Sequence, residues 1–310
     1  MTLHHENEFD FVVPEFIDIH CHGGNNAYFW NDFERARNFH REKGTGIQFA
    51  SLVTLSKDET KRAISYLAKQ NDLAGIHLEG PFISQDYCGA HQPDLIRDPD
   101  LQELRELLNI GEGKIRMVTI APERPGAIPA IEYLVANGVI VALGHSAADA
   151  ETTNKAMHAG ATVVTHFNNG MAKMGAQDSL SQAALSSQLF LEVIPDLLHL
   201  SREELTAVIS TSSERTIAIT DAMSAAGSAD GRYTIGGLEV NVKNGEARLA
   251  TTGKLAGSTL TMLDAFLNIE KFFGLDLAIA MTSTNARKIL GLTEKPRLIG
   301  IKGRTVAYLD

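Results

Sequence analysis

Six side chains able to ligate a divalent cation or carry a proton stand at the ends of apolar runs. They are His20 and His22 in PEFIDIHCHGG (14–24), Glu79 in HLEGPF (77–82), His145 in LGHS (143–146), His166 in THFNNGM (165–171) and Asp221 in TDAMSAAG (220–227). Residues two apart in a strand face the same side, so His20 and His22 can share one cation. Cys21, between them, faces the other way and reads as core. Glu79 is the last side chain before Gly80-Pro81, and proline cannot donate to a sheet ladder, so the strand ends at the carboxylate. A lone histidine or glutamate at a strand end more often makes a structural hydrogen bond. Six such groups at five strand ends are harder to account for, because polar groups gathered in one dry mouth are costly unless a cation holds them. Imidazoles and carboxylates without paired cysteines suit Zn²⁺, Fe²⁺ or Mn²⁺.

The elements that must position these groups alternate. Short apolar strands are expected at Phe16–Ile19, Ile47–Thr54, Leu73–Leu78, Ile115–Ile120, Val139–Leu143, Thr162–Thr165, Leu189–Ile194 and Thr216–Thr220. Their near-continuous Val/Ile/Leu/Ala content suits strands buried on both faces. Helical patterns fall between them at Asn31–Lys43, Lys57–Gln70, Pro99–Asn109, Ala127–Asn137, Asp149–Ala159 and Arg202–Ser212. Eight strands joined by crossovers read as an α/β protein, a (β/α)₈ TIM barrel, in which catalytic groups collect at the C-terminal strand ends. Periodicity alone also allows an open doubly wound sheet, and convergence of the ligands favours closure. Beyond Thr220, Tyr233–Leu249 alternates around Asn244-Gly245 and predicts an inserted β-hairpin. Helices then run through Leu290, and Leu298–Leu309 reads as one or two strands outside the barrel.

With 310 residues, 44% of them hydrophobic, the chain can bury a large core. It reads as one domain over 1–310, with the barrel at about 14–290 and short flanks at 1–13 and 291–310. A net charge of −10 argues against a nucleic-acid partner. Two cysteines, Cys21 and Cys88, give no disulfide framework and fit a reducing cytoplasm. The N-terminal residues show neither a basic nor an apolar signal region. No apolar run is long enough to span a membrane.

The segments at 14–24, 77–82, 143–146, 165–171 and 220–227, with GAH (89–91) and LAGS (255–258), together resemble the N-acetylglucosamine-6-phosphate deacetylases. That family lies within the metal-dependent amidohydrolases, and its motifs run in order from Pro14 to about Leu292. The resemblance implies that Glu79, His145 and His166 hold the principal metal, with zinc the first expectation. His20 and His22 match members that hold a second ion, giving one or two ions per chain. Asp221 matches the catalytic acid/base. Ala90, His91, Asn169, Gly170, Lys173, Leu255, Ala256 and Gly257 match or stand near substrate-contacting positions. His199 resembles a histidine that reaches the substrate phosphate across a dimer interface, which implies a homodimer. The implied reaction gives glucosamine 6-phosphate and acetate.

Two departures qualify the likeness. The family carries an arginine for the phosphate shortly after the segment at 165–171. Here no Arg lies between Met171 and Leu191, and Lys173 offers a point charge in place of a fork. Only thirteen residues precede Pro14, so the β-sandwich of relatives is expected to be rudimentary or absent. A divalent ion lowers the pKa of bound water from about 15.7 towards 7. No serine or cysteine stands in a nucleophile setting, so direct attack by water is expected. The competing expectations are an amidohydrolase acting on another N-acetyl sugar or amide without a 6-phosphate, and a non-catalytic barrel. Intact ligands and Asp221 argue against the latter.

Overall fold

The computed structural model describes residues 8–309; the first seven residues of the expected N-terminal flank and residue 310 lie outside the described residues. Eight parallel strands pair in chain order: Phe16–Asp18, Thr45–Leu52, Gly75–Glu79, Ile115–Ile120, Ile140–Leu143, Val163–Val164, Phe190–Val193 and Thr216–Ala218. The first and eighth are joined at their C-terminal ends rather than by a full ladder. The Asp221 N–H donates to the His20 carbonyl at 2.9 Å, and the His22 N–H to that of Ala222 at 2.9 Å. Below them the Thr220 hydroxyl donates to Asp18 Oδ2 at 2.6 Å. The barrel expected from the strand pattern is therefore the architecture present, and residues at the metal-ligand positions form part of its seam.

The helices form where the apolar stripe and the caps coincide. Ser56 and Glu59 make a reciprocal capping box at Lys57–Ala68, as Ser201 and Glu204 do at Arg202–Ser212. Asp32, Asp100 and Asp149 cap the helices at Phe33–Glu42, Leu101–Gly111 and Ala150–His158. One crossover helix, Leu180–Leu185, has no counterpart among the expected helices. At six residues it is too short for a period to show, and only Ser179, which caps it, marks its start.

One departure concerns the strands outside the barrel. The insertion is a three-stranded antiparallel sheet, Gly231–Ile235, Leu238–Lys243 and Glu246–Leu249, rather than a single hairpin. Gly236 and Gly237, both at positive φ, make the tight turn that splits the expected first arm. Val240, Val242, Ala247 and Leu249 of this sheet pack with Tyr28, Val53, Met223 and Ala256 in a second apolar cluster beside the barrel mouth. The flanking sheet is small: Phe11–Pro14 pairs with Leu298–Lys302, which pairs with Thr305–Leu309.

Candidate metal centre

The floor of the mouth is a buried polar layer inside the barrel. The Ser51 hydroxyl lies 2.9 Å from His77 Nδ1, and His77 Nε2 lies 2.8 Å from the Thr119 hydroxyl, itself 2.8 Å from that of Thr165. All four side chains are fully buried. Their mutual hydrogen bonds offset a desolvation cost that would otherwise destabilise the barrel. Above this layer the strands end at the ligands. Three of the turning residues, His145, His166 and Asp221, adopt positive φ. Such backbone is uncommon for residues with a β-carbon and collects at functional sites.

Four imidazoles converge with the same nitrogen forward. His145 Nδ1 lies 2.7 Å from the Tyr87 carbonyl, His166 Nδ1 3.2 Å from that of Asn169 and His22 Nδ1 3.0 Å from that of Ser51. His20 Nδ1 lies 3.0 Å from Glu192 Oε2. Each acceptor holds a proton on Nδ1, so that the ring, once neutral, presents Nε2 as its lone pair. Those Nε2 atoms meet two carboxylates. Glu79 Oε1 is 3.0 Å from His145 and 2.9 Å from His166, while Oε2 is 3.1 Å from His22 and 3.4 Å from His20. Asp221 Oδ1 is 3.0 Å from His22 Nε2 and 3.5 Å from His20 Nε2. Among the described residues His20 Nε2 has no hydrogen-bond partner although it is buried. Imidazole nitrogens and carboxylate oxygens gathered this closely suit a cation, which takes the place of any proton they share. Two groups fit: Glu79 with His145 and His166, and Glu79 with His20, His22 and Asp221. Glu79 belongs to both, one oxygen to each.

The electrostatics follow the same geometry. Burial opposes charge on His22, but its contacts with Asp221 and Glu79 outweigh it and raise the pKa to about 9. Burial also resists ionisation of Glu79 and Asp221, yet the imidazoles around them, His20 foremost, hold both carboxyls below the usual range. His91 is the opposite case, pushed down to about 4 chiefly by burial. Its Nδ1 accepts the Thr54 N–H at 3.1 Å, so the neutral ring carries its proton on Nε2, 3.6 Å from Glu79 Oε2.

A cavity of about 620 Å³ opens over this centre, lined by His22, Glu79, His91, His145, His166 and Asp221. Ala90, Asn169, Gly170, Lys173, His199, Leu255 and Gly257 line it as well. Three of the expected positions have particular surroundings. Ala256 does not face the cavity: its side chain is buried in the second apolar cluster, and only its neighbours Leu255 and Gly257 reach the wall. His199 lines the mouth of its own chain. The loop after the seventh strand turns back at Leu197, at positive φ, and Asp196 Oδ2 holds His199 Nδ1 at 2.7 Å. The Lys173 ammonium donates to the Asn168 carbonyl at 2.6 Å, so part of its charge is already engaged.

Sequence reasoning missed three contributors. Lys254, from the turn that follows the inserted sheet, lines the cavity with Thr251 and Thr252. His77 stands under His20, ring centroids 4.6 Å apart. Glu192 was hidden within an apolar strand, where a lone charged residue in FLEV was the available signal.

No protein-family model matches the sequence. An N-acetylgalactosamine-6-phosphate deacetylase of Escherichia coli O157:H7 is 32% identical over 302 residues, 93% of this chain and 80% of that protein. An N-acetylglucosamine-6-phosphate deacetylase of Lysinibacillus sphaericus is 32% identical over 309 residues, 94% of this chain and 80% of that one. Among solved structures, an alanine variant of the Mycobacterium smegmatis N-acetyl-D-glucosamine-6-phosphate deacetylase, in complex with N-acetyl-D-glucosamine-6-phosphate, superposes with a TM-score of 0.92. It is 39% identical, and the match covers 96% of this chain and 85% of that one. The Thermotoga maritima enzyme matches with a TM-score of 0.87 at 31% identity, over 96% and 87% of the two chains. With that likeness spread over nearly the whole chain, it belongs to the N-acetylglucosamine-6-phosphate deacetylase family.

Proposed function

We propose that the chain hydrolyses the acetamide of N-acetylglucosamine 6-phosphate to glucosamine 6-phosphate and acetate, as a step of amino-sugar catabolism. One observation carries the reading: four imidazole Nε2 atoms and two carboxylates converge beneath a cavity whose size suits a small ligand, in a chain of this family. Glu79, His145 and His166 would hold one divalent ion, and His20, His22, Glu79 and Asp221 a second. Zinc is the first choice for such a set, with Fe²⁺ or Mn²⁺ as alternatives. A divalent ion bound there supplies Lewis acidity towards the acetyl carbonyl and acidifies water.

The remaining steps belong to the chain's own groups. Asp221 takes the proton as water attacks the acetyl carbon and returns it to the amine nitrogen as the C–N bond breaks. A carboxyl held below the usual range by its imidazole neighbours starts in the basic form this requires. His91, neutral with its proton on Nε2, donates to the carbonyl oxygen as negative charge grows there. Leu255, Gly257, Asn169 and Gly170 pack and orient the sugar. His199, Lys254 and Lys173 supply positive or hydrogen-bonding groups for the phosphate.

Acetate release from N-acetylglucosamine and N-acetylgalactosamine, each with and without 6-phosphate, tests the reading. Turnover confined to sugars without phosphate would replace it with the broader amidohydrolase reading, which the phosphate-bearing substrates of the relatives do not favour. The galacto epimer is a second candidate, because the E. coli galactosamine relative and the L. sphaericus glucosamine relative are equally identical to this chain. A phosphorylated substrate and unpaired cysteines support a cytoplasmic location. A homodimer is part of the proposal, supported by exposed Leu198 beside His199 and by exposed Phe272, over which Arg202 stacks. None of the described helices is long and apolar enough to cross a membrane.

A further inference from the structure

Glu192 is a carboxylate with no solvent exposure, placed on the strand Phe190–Val193 and absent from both groups of candidate ligands. Its Oε2 has two partners. One is His20 Nδ1 at 3.0 Å, and the other is the His166 backbone N–H at 3.2 Å. Its Oε1 has no hydrogen-bond partner among the described residues, and neither does the opposite nitrogen of the His20 ring. Burying a carboxylate in a barrel interior costs more than a neutral side chain of similar size, so the site must use its particular chemistry.

That chemistry is one-sided acceptance. An ionised carboxylate can only accept a hydrogen bond, whereas an amide or hydroxyl can also donate. A carboxylate against Nδ1 therefore admits one neutral tautomer of His20, with the proton on Nδ1 and the lone pair on Nε2. His22, His145 and His166 achieve the same state with backbone carbonyls, which cannot be mutated away. His20 is the one converging imidazole whose orientation depends on another side chain.

We propose that Glu192 is the positioning residue of the second cation pocket: it fixes the His20 tautomer and aims Nε2 between Glu79 and Asp221. The inference rests on the metal-dependent reading above and adds a residue to it. Because the same oxygen holds the His166 backbone, Glu192 also ties the two pockets together through the sixth and seventh strands. A merely structural carboxylate would support the His166 turn and leave the His20 ring free to take either tautomer.

The test uses Glu192→Gln, which keeps the volume, and Glu192→Leu, which removes the acceptor; thermal unfolding checks that each is folded. In metal-free wild type, at a pH high enough to leave the His20 ring neutral, nitrogen NMR of labelled histidines should show His20 protonated on Nδ1, and Glu192→Gln should give mixed tautomers. Zn²⁺ competition against a chelator should show the ion lost in His22→Ala weakened about 10–100-fold by Glu192→Gln. The other ion should stay within about threefold in each variant. The proposal is overturned by an unchanged His20 tautomer in both variants, by equal weakening of both ions, or by a wild type that binds one ion only. In that last case acetate release would still stand or fall on its own, so loss of this inference is separable from loss of the proposed activity.

Discussion

His145 and His166 face each other through their Nε2 atoms at 3.0 Å, each with its Nδ1 committed to a backbone carbonyl. Two lone pairs at that distance repel unless a proton or a cation lies beside them, and Glu79 Oε1 completes the trio. Purified protein should therefore carry transition metal, and removal of either imidazole should empty this pocket. Because Glu79 presents one oxygen to each group, Glu79→Gln should deplete both ions, whereas His20→Ala should cost only the second. Elemental analysis after gel filtration reads the stoichiometry. Full occupancy in Glu79→Gln would show that the centre is misplaced.

Asp221 sits on both sides of the division between structure and chemistry. Its N–H closes the barrel seam on His20, and its side chain reaches the mouth. Asp221→Asn keeps the backbone and the shape but cannot carry the proton. Turnover should fall by at least ~10²-fold, the lower range for general acid–base catalysis. The ion held by Glu79, His145 and His166 should remain. A near-normal rate with that ion in place would exclude Asp221 as the proton carrier.

The centre was legible in the sequence because strand ends are. An apolar run that stops at His, Glu or Asp announces a polar group at the rim, and the eight runs place those rims together. What escaped had no such boundary. Glu192 and His77 lie inside strands, where their partners, His20 and Thr119, are supplied by chain 172 and 42 residues away. Lys254 could not be placed because the insertion carrying it was read as one hairpin, and the turn at Gly236-Gly237 gives it a third strand. The Asp196 contact that orients the His199 ring is visible only in three dimensions.

The pH response of the metal-free protein follows from His22. Its folded pKa of about 9 stands above an ordinary value near 6.5. A raised folded pKa stabilises the fold fully below 6.5, and that contribution is lost as pH rises through 9. The metal-free protein should thus lose thermal stability between those pH values, and the loaded protein, in which His22 is a ligand, should not. The same proton must leave when a cation binds. Affinity of the second pocket should rise with pH up to about 9, with proton release visible as a dependence of calorimetric heat on buffer. A pH-independent affinity would show that His22 is already neutral or is not a ligand.

Among the described residues no arginine lines the cavity, and its wall offers three other side chains for phosphate recognition. Lys173 has its ammonium on the Asn168 carbonyl, which leaves fewer of its donors for a substrate. Lys254 is exposed on the rim, and no ion pair holds it among the described residues. His199 is oriented by Asp196 through Nδ1, which leaves Nε2 for a ligand. A hydrogen bond to a charged group contributes roughly 1.5–3 kcal/mol, about ten- to a hundredfold in affinity. His199→Ala, buried and oriented, should raise KM for the 6-phosphate by a factor in that range. Lys254→Ala should come in near its lower end, about tenfold, because solvent screens an exposed charge. Neither variant should alter turnover of unphosphorylated N-acetylglucosamine. Because His199 lines its own chain's mouth, these effects should persist when the protein is diluted to a monomer. Equal KM changes for the two sugars would show that these side chains shape the mouth without reading the phosphate. Activity that disappears on dilution would return His199, or another group, to the partner subunit.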